Sequence, residues 1–217
     1  MKFASKMFTL TALALACSAA SAQQTASMAV TGNITPSGCT ASFSNKGKFD
    51  LRVYFKDWLS SSGNTYLHPA NNNDRVSFNI SCPAAAQVAW RITDNRPGSE
   101  YGPSRDDQFG LSKDKDGNPI GAYSLLMTAP ILDGVAAYVM ESRDNGSSWS
   151  RVPVAQGMGK MKDSRLYTYS KTGNTEQKGS SFSSTISFSV WVAPTSTLNT
   201  SDVIDIDGSA TIDLMYR

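Results

Sequence analysis

The chain's one histidine, His68, lies in a polar stretch just ahead of Pro69. A Ser-His-Asp relay would have to be built on it, and the sequence holds no nucleophile-elbow motif to supply the serine. Among 18 Asp and Glu residues no pair is singled out for glycosidic acid–base work. Asp114-Lys115-Asp116-Gly117-Asn118 opens like a calcium loop, but Leu125 stands at the twelfth position, where a glutamate would complete the coordination. The spacing S-x-D-x-G-x-S-W from Ser142 to Trp149 reads as a hairpin whose Asp144 accepts hydrogen bonds within its own turn. No catalytic residue, metal or cofactor is therefore expected, and binding is the chemistry left. Trp58, Trp90, Trp149 and Trp191 could stack on sugar rings. Trp90 alternates with Val88 and Ile92 and belongs to a core, which leaves Trp191 and the hairpin residue Trp149 as candidates for a carbohydrate site.

The cysteines depend on the compartment. Lys2 and Lys6, the short apolar run over residues 7–16 and the small-x-small site Ala20-Ser21-Ala22 form a secretory signal over residues 1–22. The apolar run is too short to span a membrane. Cys17 leaves open a lipid-anchored form, weakened by Ala14 where such sites carry leucine three residues ahead. Removing the signal takes Lys+Arg from 20 to 18, equal to the 18 Asp+Glu, so the mature chain is neutral. That argues against nucleic acid as a partner, which needs a basic surface. Cys39 and Cys82 remain, and in an oxidising compartment they read as a disulfide, worth about 4 kcal/mol on the chain-entropy model. Two thiols and one scattered histidine have no zinc spacing.

The elements that must position these residues alternate with a period of two. Ile204, Ile206, Gly208, Ala210, Ile212, Leu214 and Tyr216 share one face, with Asp205, Asp207, Ser209, Thr211 and Asp213 on the other. This predicts a half-buried strand over residues 203–217, running to the end of the chain. Similar runs are Val76, Phe78, Ile80 and Cys82, ended by Pro83; Val88, Trp90 and Ile92; and Ile186, Phe188, Val190 and Val192, ended by Pro194. Phe49, Leu51, Val53 and Phe55 predict another strand after a turn at Asn45-Lys46-Gly47-Lys48, and residues 59–74 read as a polar loop. Shorter candidates lie at 109–111, 122–127, 135–140, 149–154 and 166–169. No stretch of 12 residues shows helical apolar spacing with caps. The expected fold is all-β, one sandwich domain over residues 39–217.

Both ends carry a family resemblance. The run Met-Ala-Val-Thr-Gly-Asn-Ile-Thr-Pro-Ser-Gly-Cys over residues 28–39 resembles the N-terminal extension of chaperone-usher pilus subunits: alternating apolar residues, a glycine seven before the first cysteine and an aliphatic residue five before it. Cys82, closing the strand VSFNISCP, is similar to the second cysteine of the pilin disulfide. The phrase ITDNRPGS, with the later FGL and IGAYSLLM, looks like the fimbrial-like secreted proteins of a domain family with no assigned function. The end, GSATIDLMYR, resembles the pilin terminal strand, with an aromatic in the penultimate place. Residues 128–180 match little.

The resemblance implies an immunoglobulin-like (pilin-type) β-sandwich lacking its last strand, with residues 23–38 as a donor-strand extension. Met28, Val30 and Ile34 would insert into a neighbouring subunit, and Gly32 would sit where that groove admits no side chain. Ile206, Ile212, Leu214 and Tyr216 would line the chain's own acceptor groove. The implied partners are a periplasmic pilus chaperone, an outer-membrane usher and other pilin subunits, with host or surface glycans beyond them. The implied route is export to the periplasm and then to the cell surface as a fimbrium contributing to adhesion. Two departures stand out. Ile204 occupies the place, fourteen from the end, where the commonest pilin pattern has glycine, and Arg217 puts a cation at the carboxyl terminus. The alternative is a stand-alone secreted sandwich that binds carbohydrate, with residues 28–34 as its own first strand.

Overall fold

The period-two runs fold as paired strands. In a computed structural model the described residues are 38–217 without 53, 69–74, 104, 154–158, 161, 163 and 164. They belong to one compact unit, Thr35–Arg217. In chain order the strands are β1 (Thr40–Phe43), β2 (Thr65–Leu67), β3 (Arg75–Ala86), β4 (Val88–Asp94), β5 (Phe109–Gly110), β6 (Gly121–Leu132) and β7 (Val135–Ala136). They continue with β8 (Tyr138–Ser142), β9 (Ser150–Arg151), β10 (Gly159–Lys160), β11 (Leu166–Ser170), β12 (Gly179–Val192) and β13 (Ala210–Tyr216). Helical segments among the described residues are short 3-10 turns, Ser44–Gly47, Lys56–Trp58 and Thr195–Thr197. The all-β sandwich expected from the alternation is what forms.

Two antiparallel sheets carry the strands. One runs β1-β3-β12-β6-β10, with β2 also pairing β12, and β5 and β7 pairing β6. The other runs β13-β4-β11-β8-β9. The inward parity of each long strand meets that of the opposite sheet: Phe78 packs edge-on to Trp90 with ring centroids 5.7 Å apart, and Tyr169 meets Phe182 at 6.0 Å. Trp90, as its alternation predicts, is fully buried. Each large apolar side chain taken from water contributes roughly 1.5–3 kcal/mol, so these facing rows hold the sheets together. Cys39 and Cys82 are joined, pinning the start of β1 to β3.

Several boundaries depart from the sequence expectation. Pro83 does not end β3, which continues to Ala86. Beyond Ser81, paired with Ser181, the β3–β12 ladder becomes irregular and resumes only at Ala86 opposite Gly179, so no ladder bond is asked of the missing Pro83 N–H. The terminal strand starts at Ala210 rather than 203, because its neighbour β4 ends at Asp94, opposite Ala210, and the chain then turns away. The alternation at 49–55 makes no strand among its described residues: Phe49 packs on Phe188 with centroids 4.3 Å apart, Leu51 makes only an isolated bridge, and Phe55 is exposed. The polar stretch 59–74 contains β2, which pairs with β12.

Candidate functional site

β1 is the end strand of one sheet and β13 the end strand of the other. The two edges lie on the same side of the sandwich, since the Tyr216 hydroxyl donates to the Cys39 carbonyl at 3.3 Å. Between them the core is not closed. A groove of ≈ 510 Å³ is floored by Val76, Ile92, Leu125, Ile186, Phe188 and Val190, which come from both sheets. Residues 206–210 and Ile212 form one wall, and Phe43 with residues 46–51 forms the other.

Local structure explains both walls. Asn45, Lys46 and Gly47 all have positive φ, the conformation a tight reversal needs. That turn swings Phe49 back over Phe188 instead of continuing β1. On the other wall β13 pairs with β4 on one side only, so every second backbone N–H and C=O of its outer edge points toward the groove. The preceding residues are held without a ladder: the Asn95 backbone N–H donates to the Ser209 carbonyl at 2.9 Å, and Arg96 pairs with Asp207. A Cβ at Gly208 would come within 2.8 Å of the Tyr123 ring, so only glycine lets this stretch lie against Tyr123 and Leu111.

The electrostatics are those of an apolar slot with a charged rim. Lys46, Lys48, Asp50 and Asp207 stand among the lining residues. Within the lining, burial pushes the Tyr123 hydroxyl well above its ordinary range, with the Asp94 carboxylate adding to the effect. Burial likewise raises Asp94, against the bonds it accepts from the Arg96 and Gly110 backbone N–H groups. The slot therefore suits uncharged apolar side chains carried on an extended backbone, which could bond to the β13 edge.

Of the residues singled out in the sequence, Ile206 and Ile212 line the groove. Leu214 is half-buried against the core, outside the lining, and Tyr216 is 51% exposed, touching the start of β1 through its hydroxyl rather than facing the slot. Met28, Val30, Gly32 and Ile34 lie outside the described residues. Sequence reasoning missed Phe43, Phe49, Lys46 and Lys48 as groove residues. The signal was the Asn45-Lys46-Gly47 reversal directly before an apolar run.

The tempting motifs turn out to be turns. Asp144 accepts bonds from Ser142 Oγ, the Ser148 N–H and Ser148 Oγ, which hold its carboxyl far below the usual range. Asp114 is enclosed by N–H donors from Asp116, Asn118 and Asn199. No cluster of three metal-ligating side chains gathers among the described residues. Trp149 lies beneath the Arg217 guanidinium, 5.8 Å from its ring centre, while Trp191 is half-buried beside Tyr66 at 6.3 Å. Trp58 is 63% exposed and meets Phe55 at 4.8 Å.

Residues 28–105 match the family described as "Protein of unknown function (DUF1120)". The matched stretch covers β1 to β4, the turn after β4 and the apolar run ahead of Cys39. It bears out the resemblance to a family with no assigned function, and nothing in the match names a fimbrial subunit. No curated protein matches the chain.

Proposed function

We propose that this protein is a fimbrial-type structural subunit with a pilin-like, immunoglobulin-like sandwich. Its groove accepts the N-terminal extension, residues 23–38, of a neighbouring copy or related subunit. The observation that carries the reading is the open apolar slot beside the unpaired edge of β13. A strand added there gains main-chain hydrogen bonds for affinity and alternate side-chain pockets for specificity. Burying Met28, Val30 and Ile34 would contribute roughly 5–9 kcal/mol before ordering costs. An exposed apolar edge recruits other chains, so a periplasmic chaperone would shield it until an outer-membrane usher directs exchange. The secretory signal supplies the route to the periplasm and cell surface.

The test uses the mature chain with Met28→Asp, Val30→Asp and Ile34→Asp together, which disables the extension and leaves the groove intact. A peptide of residues 23–38 should bind it and raise its melting temperature by mass action. The same peptide carrying the three aspartates should do neither, since each charge would be desolvated in an apolar slot. Wild-type chains concentrated together should form multimers that the triple variant cannot form. Absence of both peptide binding and multimers would overturn the proposal.

A second reading, a carbohydrate-binding sandwich, is favoured by the exposed pair Phe55–Trp58 and by exposed Tyr66 beside half-buried Trp191. Quenching of tryptophan fluorescence by a neutral oligosaccharide, lost in Trp58→Ala and Trp191→Ala, would support it; no quenching across a panel of neutral and amino sugars would remove it.

A further inference from the structure

Residues 94–99 and 109–112 are separate phrases of the sequence that interlock in space. At the end of β4 the buried Asp94 carboxyl accepts the Arg96 backbone N–H at one oxygen and the Gly110 N–H at the other, both at 2.8 Å. Ser99, also buried, donates its hydroxyl to the Arg96 carbonyl at 2.7 Å and accepts the Ser112 N–H at 3.1 Å. A Cβ at Gly110 would overlap Ser99 Oγ and the Arg96 carbonyl, so only glycine lets the two stretches come this close. The product is a braced turn from which the Asn95 and Arg96 side chains project.

Those two side chains reach the groove wall. Asn95 Nδ2 donates to Ser209 Oγ at 2.9 Å and to Thr211 Oγ1 at 3.0 Å, beside the bond from its backbone N–H to the Ser209 carbonyl. Arg96 pairs with Asp207. Asp207, Ser209 and Thr211 share one parity, and between them lies Gly208, close against Tyr123 and Leu111. The β4 ladder does not reach residues 207–209, because β4 ends at Asp94 opposite Ala210. The clasp from Asn95 and Arg96 thus stands where ladder bonds are missing.

We propose that Asn95 and Arg96 are positioning residues that fix the width of the slot at Gly208, and with it the bulk an incoming strand can carry there. The inference rests on the reading of the groove as a strand-accepting site and adds what makes that site selective. Held from one side by the clasp, Gly208 stays against Tyr123 and Leu111; released, residues 206–209 can move off them and the slot widens. A wall ordered in advance also lowers the cost of adding a strand to it. Specificity is a difference of affinities, and a fixed narrow point supplies it by rejecting bulk. The Arg96–Asp207 pair is solvent-exposed, and such pairs contribute little to stability. Its effect therefore belongs in selectivity rather than in the melting temperature.

The experiment uses the full mature chain carrying Met28→Asp, Val30→Asp and Ile34→Asp, the parent here, titrated calorimetrically with two synthetic probes: the 23–38 peptide and the same peptide with Gly32→Leu. The parent should bind the substituted peptide about tenfold more weakly or worse, the penalty of forcing bulk into a packed site. With Asn95→Ala and Arg96→Ala added, that ratio should shrink to about threefold or less. Arg96→Ala alone, which removes only the exposed pair, should give an intermediate ratio. Asn95→Asp with Arg96→Lys should restore the parent ratio, since they keep an acceptor for the Ser209 and Thr211 hydroxyls and a cation for Asp207. Hydrogen exchange should show amides 207–209 losing protection in the double Ala variant, with β3 and β12 unchanged. A ratio that survives both substitutions while the two affinities fall together would make the clasp merely structural and overturn the inference. A parent that binds both peptides alike would overturn it too, and in either case strand acceptance stands. Binding of neither peptide to the parent overturns the strand-accepting reading and the inference with it.

Discussion

Arg217 reaches the hairpin at Asn145: its Nη1 donates to the Asn145 carbonyl at 2.7 Å and its Nη2 to the Gly146 carbonyl at 2.9 Å. The last residue of the chain is thereby tied to the turn after β8, on the far side of its own sheet. Trp149 lies under the guanidinium, and Glu176 Oε2 stands 3.5 Å from Nε. The Asp144 turn, which looks like a motif in the sequence, is a mould that presents two carbonyls to this cation.

Arg217→Ala should cost about 1–3 kcal/mol, since the Asn145 and Gly146 carbonyls lose their donor and the Glu176 carboxylate loses its ion-pair partner. That corresponds to a fall of about 2–12 °C in melting temperature. Gly146→Ala should be at least as damaging, because Gly146 has φ +87° and an added Cβ would overlap the guanidinium. Thermal unfolding of the two variants measures this; unchanged midpoints would mean the cation merely rests on the surface.

Asp114 provides a pH prediction. The backbone N–H of Asn199, then the bonds from Asn118 and Asp116, hold its carboxyl down to about 2, against an ordinary 3.8. A depressed carboxylate binds fewer protons folded than unfolded. Its contribution is complete above about pH 4 and is lost as pH falls toward 2. Asp114→Asn should therefore be less stable than the parent at pH 7, with the gap narrowing across that window. Urea midpoints at pH 7, 4 and 2 would show the convergence, and a constant gap would contradict it.

The Cys39–Cys82 bond should be found intact in protein taken from an oxidising compartment, by mapping of unreduced peptides. The double substitution Cys39→Ser, Cys82→Ser should lose about 4 kcal/mol on the chain-entropy model. Two free thiols in the isolated mature protein would count against it.

Gly32→Leu should leave the domain folded but block its extension from entering a neighbour. The slot is narrow where Gly208 lies against Tyr123 and Leu111, and a leucine side chain would not pass there. The expected result is at least a tenfold loss in multimer yield with an unchanged circular dichroism spectrum. Parent-like multimers would place Gly32 outside the slot.

The fold was most legible where one rule governed it. Val76 to Cys82, Val88 to Ile92 and Ile186 to Val192 alternate because each strand has a sheet on both edges and a core on one face. The groove residues came from the family resemblance instead: of the four it implied, Ile206 and Ile212 line the slot, and Leu214 and Tyr216 do not. The alternation rule overreached at Phe49, which alternates with its neighbours yet serves as a single plug against Phe188. It overreached again at 203–209, where alternation persists after β4 has ended. A periodicity records which side chains face the core and says nothing about whether a partner strand is present. The groove is made of that distinction: its walls have strand-like sequences, and on one side of them no described strand pairs.

The disulfide has a mechanical consequence. In a fibre built as proposed, tension on a subunit enters at Gly38 and leaves through the strand gripped along β13. At Cys39 the load crosses directly to Cys82 in β3, which is zipped to β12 along most of its length. The four-residue β1 and everything between the two cysteines lie off the load path. Stretching cannot unravel residues 40–81 while the bond is intact, so the contour length released by forced unfolding should be short by that span and restored after reduction.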